Sequence, residues 1–219
     1  MSETSDQAPE ERRGDLLEAM LTHVAFDGWT QTALLRGAAD LGLEAGYARL
    51  VFPGGAVEAL KYWMDRADAA MVEELERRGI ATMRIRDRIA LAVRVRLEQA
   101  APHREAVRRA VGVLSLPHHG EFAATSLWRT ADAMWRAAGD TSTDYNYYTK
   151  RAILSGVYSS TLLAWLGDES EGFEETWAFL DRRIENVMQF EKVKGRLLKG
   201  RESRPSLTRF LGRLRYPAR

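Results

Sequence analysis

Residues 143–168, TDYNYYTKRAILSGVYSSTLLAWLGD, constrain this chain more than any other stretch. The segment opens polar and aromatic, then becomes apolar on nearly every side of a helix. Tyr147, Leu154, Tyr158, Leu162 and Trp165 follow one helical row, and Ile153, Val157 and Ala164 fill a second. A helix with one apolar stripe lies on a surface, whereas one that is apolar all round must be surrounded. Ser155, Gly156, Ser159 and Ser160 interrupt the bulk. Such small side chains either let neighbouring helices approach closely or leave room for something other than protein. The segment therefore reads as the central helix of an all-helical domain.

The remaining periodicity agrees. Leu16, Leu17, Met20, Leu21 and Val24 mark a first helix over 10–26, ended by Asp27-Gly28. Shorter helices follow over 31–39 and 43–51, stopped before Pro53-Gly54-Gly55, and a long one runs over 56–78. Further helices are expected over 85–100, 105–116 and 122–138, the last with Trp128 and Trp135 on one side. A closing helix over 173–190 has Trp177, Leu180, Ile184, Val187 and Met188 on one side. The 219 residues are enough for a sizeable core. The expected division is a disordered lead over 1–10, a helix-turn-helix-like head over 11–55, a helical body over 56–190 and a tail over 191–219.

Charge separates the tail from the rest. Residues 191–219 hold ten Lys and Arg against two Glu, while the first 190 hold 22 basic against 29 acidic residues. A basic tail on an acidic body points to an anionic surface, either membrane or nucleic acid. Leu207, Phe210, Leu211 and Leu214 fall within one apolar arc of a short helix, with Arg209 and Arg213 opposite. That pattern suits the membrane interface. A helix docked on its own domain and a disordered end are the other readings.

The chain offers little for catalysis. With no Cys, disulfides, thiolate metal sites and a Cys nucleophile are excluded. The four His are scattered, and His118-His119 point apart. No metal-ligand spacing, P-loop, G-x-G-x-x-G or G-x-S-x-G occurs. Neither a metal nor another cofactor is expected, and the chain reads as a non-enzyme. No apolar run approaches the roughly 18 residues that span a bilayer. The start, MSETSDQAPEERR, is acidic and polar, unlike a secretory or transit peptide. The expectation is a bacterial cytoplasmic protein peripheral to the inner membrane.

Two resemblances sharpen this reading. Residues 26–60, FDGWTQTALLRGAADLGLEAGYARLVFPGGAVEAL, resemble the head of TetR-family regulators in the order aromatic-Gly, helix, turn, helix with Tyr, Phe before a turn, then long helix. The fold class implied is an all-α, TetR-like helical bundle with a larger C-terminal ligand-binding domain. The reading surface departs from the family: Arg36 and Arg49 are balanced by Asp40 and Glu44, and Gly54-Gly55 stand where such regulators usually place a Lys. Phosphate neutralisation needs more positive charge, so nucleic-acid binding is not expected. A ligand-sensing transcription regulator is the alternative reading.

From Thr143 onward the chain is similar to the COQ9 family of lipid-binding accessory factors of ubiquinone biosynthesis. The pattern is carried by Thr143, Asp144, Tyr145, Tyr147, Tyr148, Thr149, Lys150 and Arg151, and by Asp168, Phe173, Glu174, Thr176, Trp177, Phe179, Leu180 and Arg182. Tyr147 stands where the family commonly has Trp. The resemblance implies that the chain takes an isoprenoid quinone precursor from the membrane and presents it to a pathway hydroxylase. It implies partner contact at Asp144, Tyr147, Tyr148 and Arg151. It also suggests lipid contact at Trp128, Trp135, Leu154, Tyr158, Leu162 and Trp165, for which ordinary core packing is the other reading. Membrane contact falls on the tail helix with Leu207, Arg209, Phe210, Leu211, Arg213 and Leu214. A homodimer is expected, with Trp177 and Phe190 as interface candidates.

Overall fold

A computed structural model describes residues 8–143 and 145–202. Nine α-helices lie among them: α1 Arg13–Asp27, α2 Gln31–Asp40, α3 Ala45–Val51, α4 Gly55–Arg77, α5 Ile85–Ala100, α6 Arg104–Leu114, α7 Gly120–Ala137, α8 Tyr145–Gly167 and α9 Glu174–Glu202. Contacts divide the chain after Leu180, and every interaction described below lies in the first unit. The second continues α9, which runs through Phe190 to Glu202 rather than ending there. The tail residues Leu207, Arg209, Phe210, Leu211, Arg213 and Leu214 lie outside the described residues, as does Asp144.

The head forms because its apolar positions recur at helical spacing and its helix ends carry stop and start signals. Gly28, at φ 70°, closes α1 through its N–H on the Val24 carbonyl. Thr30 then caps α2 by accepting from the Ala33 N–H at 3.3 Å. Leu16, Leu17, Met20, Leu34, Phe52 and Leu60 are fully buried in the resulting core. Each such side chain contributes about 1.5–3 kcal/mol. Gly37 lets α2 lie directly against α1, since a Cβ there would come 2.6 Å from the Met20 nitrogen. Gly37→Ala is expected to cost about 1–3 kcal/mol by forcing the helices apart. Thermal unfolding reads this directly, and an unshifted midpoint would contradict the close crossing.

Trp29 fastens head to body. Its indole N–H donates to the Ala106 carbonyl of α6 at 3.0 Å, and its ring lies 5.2 Å from that of Trp63 on α4. In the body, α4 packs on α5 and α7, and α7 packs on α8. A buried polar cluster joins α4, α5 and α7. Arg96 Nε and the Thr130 hydroxyl donate to the Asp68 carboxylate at 3.1 and 3.0 Å, and Arg129 Nε adds a third contact at 3.4 Å. Removing one member would strand charge in the core, so the cluster fixes the register of α4, α5 and α7.

The central helix departs from its expected surroundings. Leu154, Val157, Tyr158, Thr161, Trp165 and Leu166 are buried, but Tyr148 and Leu163 are 61% and 59% exposed. A Cβ on Gly156 would meet nothing within 4 Å. Among the described residues, helix α8 is therefore covered on one side only. Gly156 draws in no neighbour, and the hydroxyls of Ser159 and Ser160 bond back along the helix. Ser160 Oγ donates to the Gly156 carbonyl at 2.7 Å, and Thr161 Oγ1 to that of Val157 at 2.7 Å.

The end of α8 is closed by α6 and by the next turn. Arg104 donates to the carbonyls of Trp165 and Asp168, and Arg108 to that of Leu166. Lysine and arginine suit helix C-termini because they answer both the unpaired carbonyls and the dipole. The Asp168 carboxylate then accepts from the Ser170 N–H and hydroxyl at 2.8 and 2.6 Å, and from those of Thr176 at 2.8 and 2.6 Å. Burial alone would raise its pKa, but these hydrogen bonds hold it well below the usual carboxylate range.

Candidate functional site

The start of α8 and the end of α7 build one constellation. Arg151 is only 1% exposed. Its Nε donates to Asp132 on α7 at 2.6 Å, and its Nη1 donates to Asp140 and to the Tyr147 carbonyl at 3.0 and 3.1 Å. The guanidinium lies 3.5 Å from the centroid of the Tyr147 ring. The Tyr147 hydroxyl donates to Asp132 in turn, at 3.2 Å. Lys150 Nζ reaches Asp140 at 2.6 Å and Ser142 Oγ at 2.7 Å. It also lies 5.4 Å from the Trp135 ring, whose N–H donates to the Lys150 carbonyl.

These charges fix one another's ionisation. Burial would push the Asp140 carboxyl up, but hydrogen bonds from Lys150, Ser142 and Arg151 hold it down at about 2. The Arg151 guanidinium, disfavoured by burial, is held charged by Asp132 and Asp140. A carboxyl whose folded pKa lies below its ordinary 3.8 adds stability above that value and loses it as pH falls toward about 2. The Asp140 contribution, about 2 kcal/mol at neutral pH, is therefore expected to vanish between roughly pH 4 and pH 2. Asp140→Asn should be less stable at pH 7 and should flatten the slope of stability against pH in that window. Parallel slopes for both proteins would contradict the assignment.

Above this network lies an aromatic surface. Tyr148 stands edge-on to Tyr147 at 5.1 Å and lies 6.2 Å from Trp128, which is 6.4 Å from Tyr147. A hollow of about 470 Å³ beside it is lined by Arg136, Asp140, Thr143, Tyr147, Tyr148 and Arg151, among others. Of the residues that the sequence assigns to partner contact, Tyr147, Tyr148 and Arg151 are thus brought together. Arg151, however, works from beneath, because its burial leaves little surface to offer a partner. Asp132, Asp140 and Lys150 complete the network; Lys150 belongs to the family pattern, whereas Asp132 and Asp140 carry no local sequence signal beyond charge.

The six residues assigned to a lipid pocket are not brought together. Tyr158 and Leu162 line a small, mostly apolar hollow of about 60 Å³ with Leu97, Val107, Ala110 and others. Trp128 belongs to the aromatic surface, and Trp135 is tied to Lys150. Leu154 is buried in ordinary packing. Trp165 is fully buried beneath Arg104 and 5.7 Å from Phe173. Trp177, a dimer candidate, already has intramolecular partners: its N–H donates to the Gly172 carbonyl at 2.7 Å, and Arg94 lies 4.8 Å over its ring. The Phe190 side chain lies outside the described residues.

The would-be reading helix α3 exposes Ala45, Gly46, Arg49 and Leu50, with Glu44 exposed just before its start. Arg36 on α2 is paired with Asp27 at 2.6 Å. No helix among the described residues is long and apolar enough to cross a membrane.

Comparison places these features in a class and then a family. The fold is that of TetR-type helical proteins. A TetR transcriptional regulator from Nitrosomonas europaea superposes with a TM-score of 0.67 at 23% identity, covering 82% of this chain and 99% of that one. Residues 121–191, which hold the Arg151 network and its aromatic surface, match the COQ9 family model. The chain is 34% identical over 189 residues to the mitochondrial ubiquinone biosynthesis protein COQ9 of Bos taurus, covering 83% of this chain and 59% of that protein. It is 34% identical over 198 residues to COQ9-B of Xenopus laevis, covering 85% and 66%. The chain belongs to the COQ9 family. It spans about three fifths of the length of the mammalian relatives it matches.

Proposed function

We propose that this chain is a non-catalytic, lipid-binding accessory protein of ubiquinone biosynthesis. It takes an isoprenoid quinone precursor from a membrane surface and presents it to a partner hydroxylase at the start of α8. The observation that carries the reading is the aromatic surface of Trp128, Tyr147 and Tyr148, held over a buried Arg151–Asp132–Asp140 network within the family-matched segment. Rigid aromatic rings beside charged rims are what tight interfaces favour. The apolar hollow bounded by Tyr158 and Leu162 is where a lipid chain would enter. Burial of apolar chain supplies about 25 cal/mol per Å², so affinity needs few polar contacts. The basic tail over 191–219 would bring the protein to anionic membrane, and two copies would associate through their last helices.

Transfer between vesicles tests this reading. Donor vesicles carrying an isoprenoid quinone are mixed with acceptor vesicles, and transfer is followed with and without the full chain. The proposal expects catalysed transfer that rises with anionic lipid and falls with salt. No transfer, together with salt-dependent binding to promoter DNA, would contradict it and favour a regulator on the same scaffold.

A further inference from the structure

Two hollows meet at one wall between α4 and α5. The inner one, about 60 Å³, is apolar apart from Arg96 and the Tyr158 hydroxyl. The outer one, about 190 Å³, opens to solvent and is lined by Glu18, Arg66, Gln99 and His103 along its polar side. Trp63, Arg96 and Ala100 border both. The arrangement is a polar mouth over an apolar interior, with a buried arginine at the neck.

Size and charge decide what such a mouth can hold. A cavity of about 150 Å³ accommodates benzene. The outer hollow is therefore large enough for one substituted ring, whereas the inner one is not. Trp63 stands edge-on to His103 at 6.3 Å and offers an aromatic wall there. The charged groups already pair off: Arg96 with Asp68, Arg129 with Asp65 and Asp68, and Arg66 with Glu18. An ionised head group would add a charge with no counter-ion, at a cost that a neutral oxygen acceptor avoids.

We infer that the α4–α5 groove is the mouth of the lipid site and that it selects an uncharged, oxygen-bearing ring, which Trp63 stacks and Arg96 hydrogen-bonds. The inference rests on the lipid-carrier reading. The chain attached to the ring runs inward past Arg96 toward Tyr158 and Leu162, and a longer chain widens the inner hollow between α5, α6 and α8. Quinones and their phenolic precursors fit this description, whereas phospholipids do not.

The test uses two probes with the same chain, decyl benzoquinone and decyl phosphate, titrated into the detergent-free full chain. Ala70 is exposed and lines the mouth, while its neighbour Ala69 is exposed and does not. Ala70→Trp should weaken quinone binding about tenfold or more, a loss worth about 1.4 kcal/mol. Ala69→Trp should leave binding unchanged, and both variants should melt with the parent. Decyl phosphate should bind at least about tenfold more weakly than the quinone. Equal quinone binding by Ala70→Trp and the parent would overturn the mouth and leave the carrier reading standing. Tighter binding of decyl phosphate would overturn the selection of a neutral head. Binding of neither probe by the parent would overturn the carrier reading itself.

Discussion

Arg151→Met is expected to lower stability by about 3 kcal/mol, at the lower end of the range for breaking a buried ion pair. The side chain holds Asp132, Asp140 and the Tyr147 carbonyl at once, and it is almost wholly buried. Methionine fills the volume but leaves two carboxylates without their shared partner. The loss stays near the lower end because Lys150 still reaches Asp140 and Arg136 still reaches Asp132. In a chain of this length the midpoint should fall by roughly 6–12 °C. Arg151→Lys should recover only part of this, because a single ammonium cannot replace the planar fork that meets both acids. A midpoint unchanged in the Met variant would mean that the network contributes nothing to the fold.

Tyr148→Ala should do the opposite, sparing the fold and removing the proposed partner. The ring is 61% exposed and rests on Trp128 and Tyr147. Surface substitutions of this kind move stability by about 0.5 kcal/mol or less. An exposed tyrosine at the centre of an aromatic patch is the type of residue on which interfaces concentrate their energy, about 2 kcal/mol or more when truncated. Affinity for the proposed hydroxylase partner, measured by calorimetry, should therefore fall about thirtyfold with an unchanged melting curve. Unchanged affinity would move the docking surface away from α8. Read together, the two variants separate the residue that builds the patch from the residue that presents it.

Much of the architecture was legible because helices announce themselves locally. Ile85–Ala100 emerged with both ends as expected, bounded by its apolar spacing and the proline that follows. The head was equally clear from the Asp27-Gly28 stop and the apolar row of α1. What could not be read was which side of α8 would be covered. Hydroxyls that bond back to their own helix look, in sequence, like small residues waiting for a neighbour. The site was half legible. Tyr147, Tyr148 and Arg151 stood out together through the family pattern, but the burial of Arg151 left no trace because its partners Asp132 and Asp140 lie on other segments. Trp128 and Trp135 share a helical side in the sequence, yet one joins the aromatic surface and the other bonds to Lys150. The mouth between α4 and α5 depends on Arg96 being buried against Asp68, a pairing that spans 28 residues and leaves no local trace.

The central claim is that a lipid occupies this helical body, and one measurement addresses it directly. The chain is purified without detergent, extracted with organic solvent, and the extract analysed by mass spectrometry. The account predicts an isoprenoid quinone or precursor approaching one per chain, diminished in the Ala70→Trp variant. An empty protein that remains empty after incubation with quinone-bearing vesicles would contradict it.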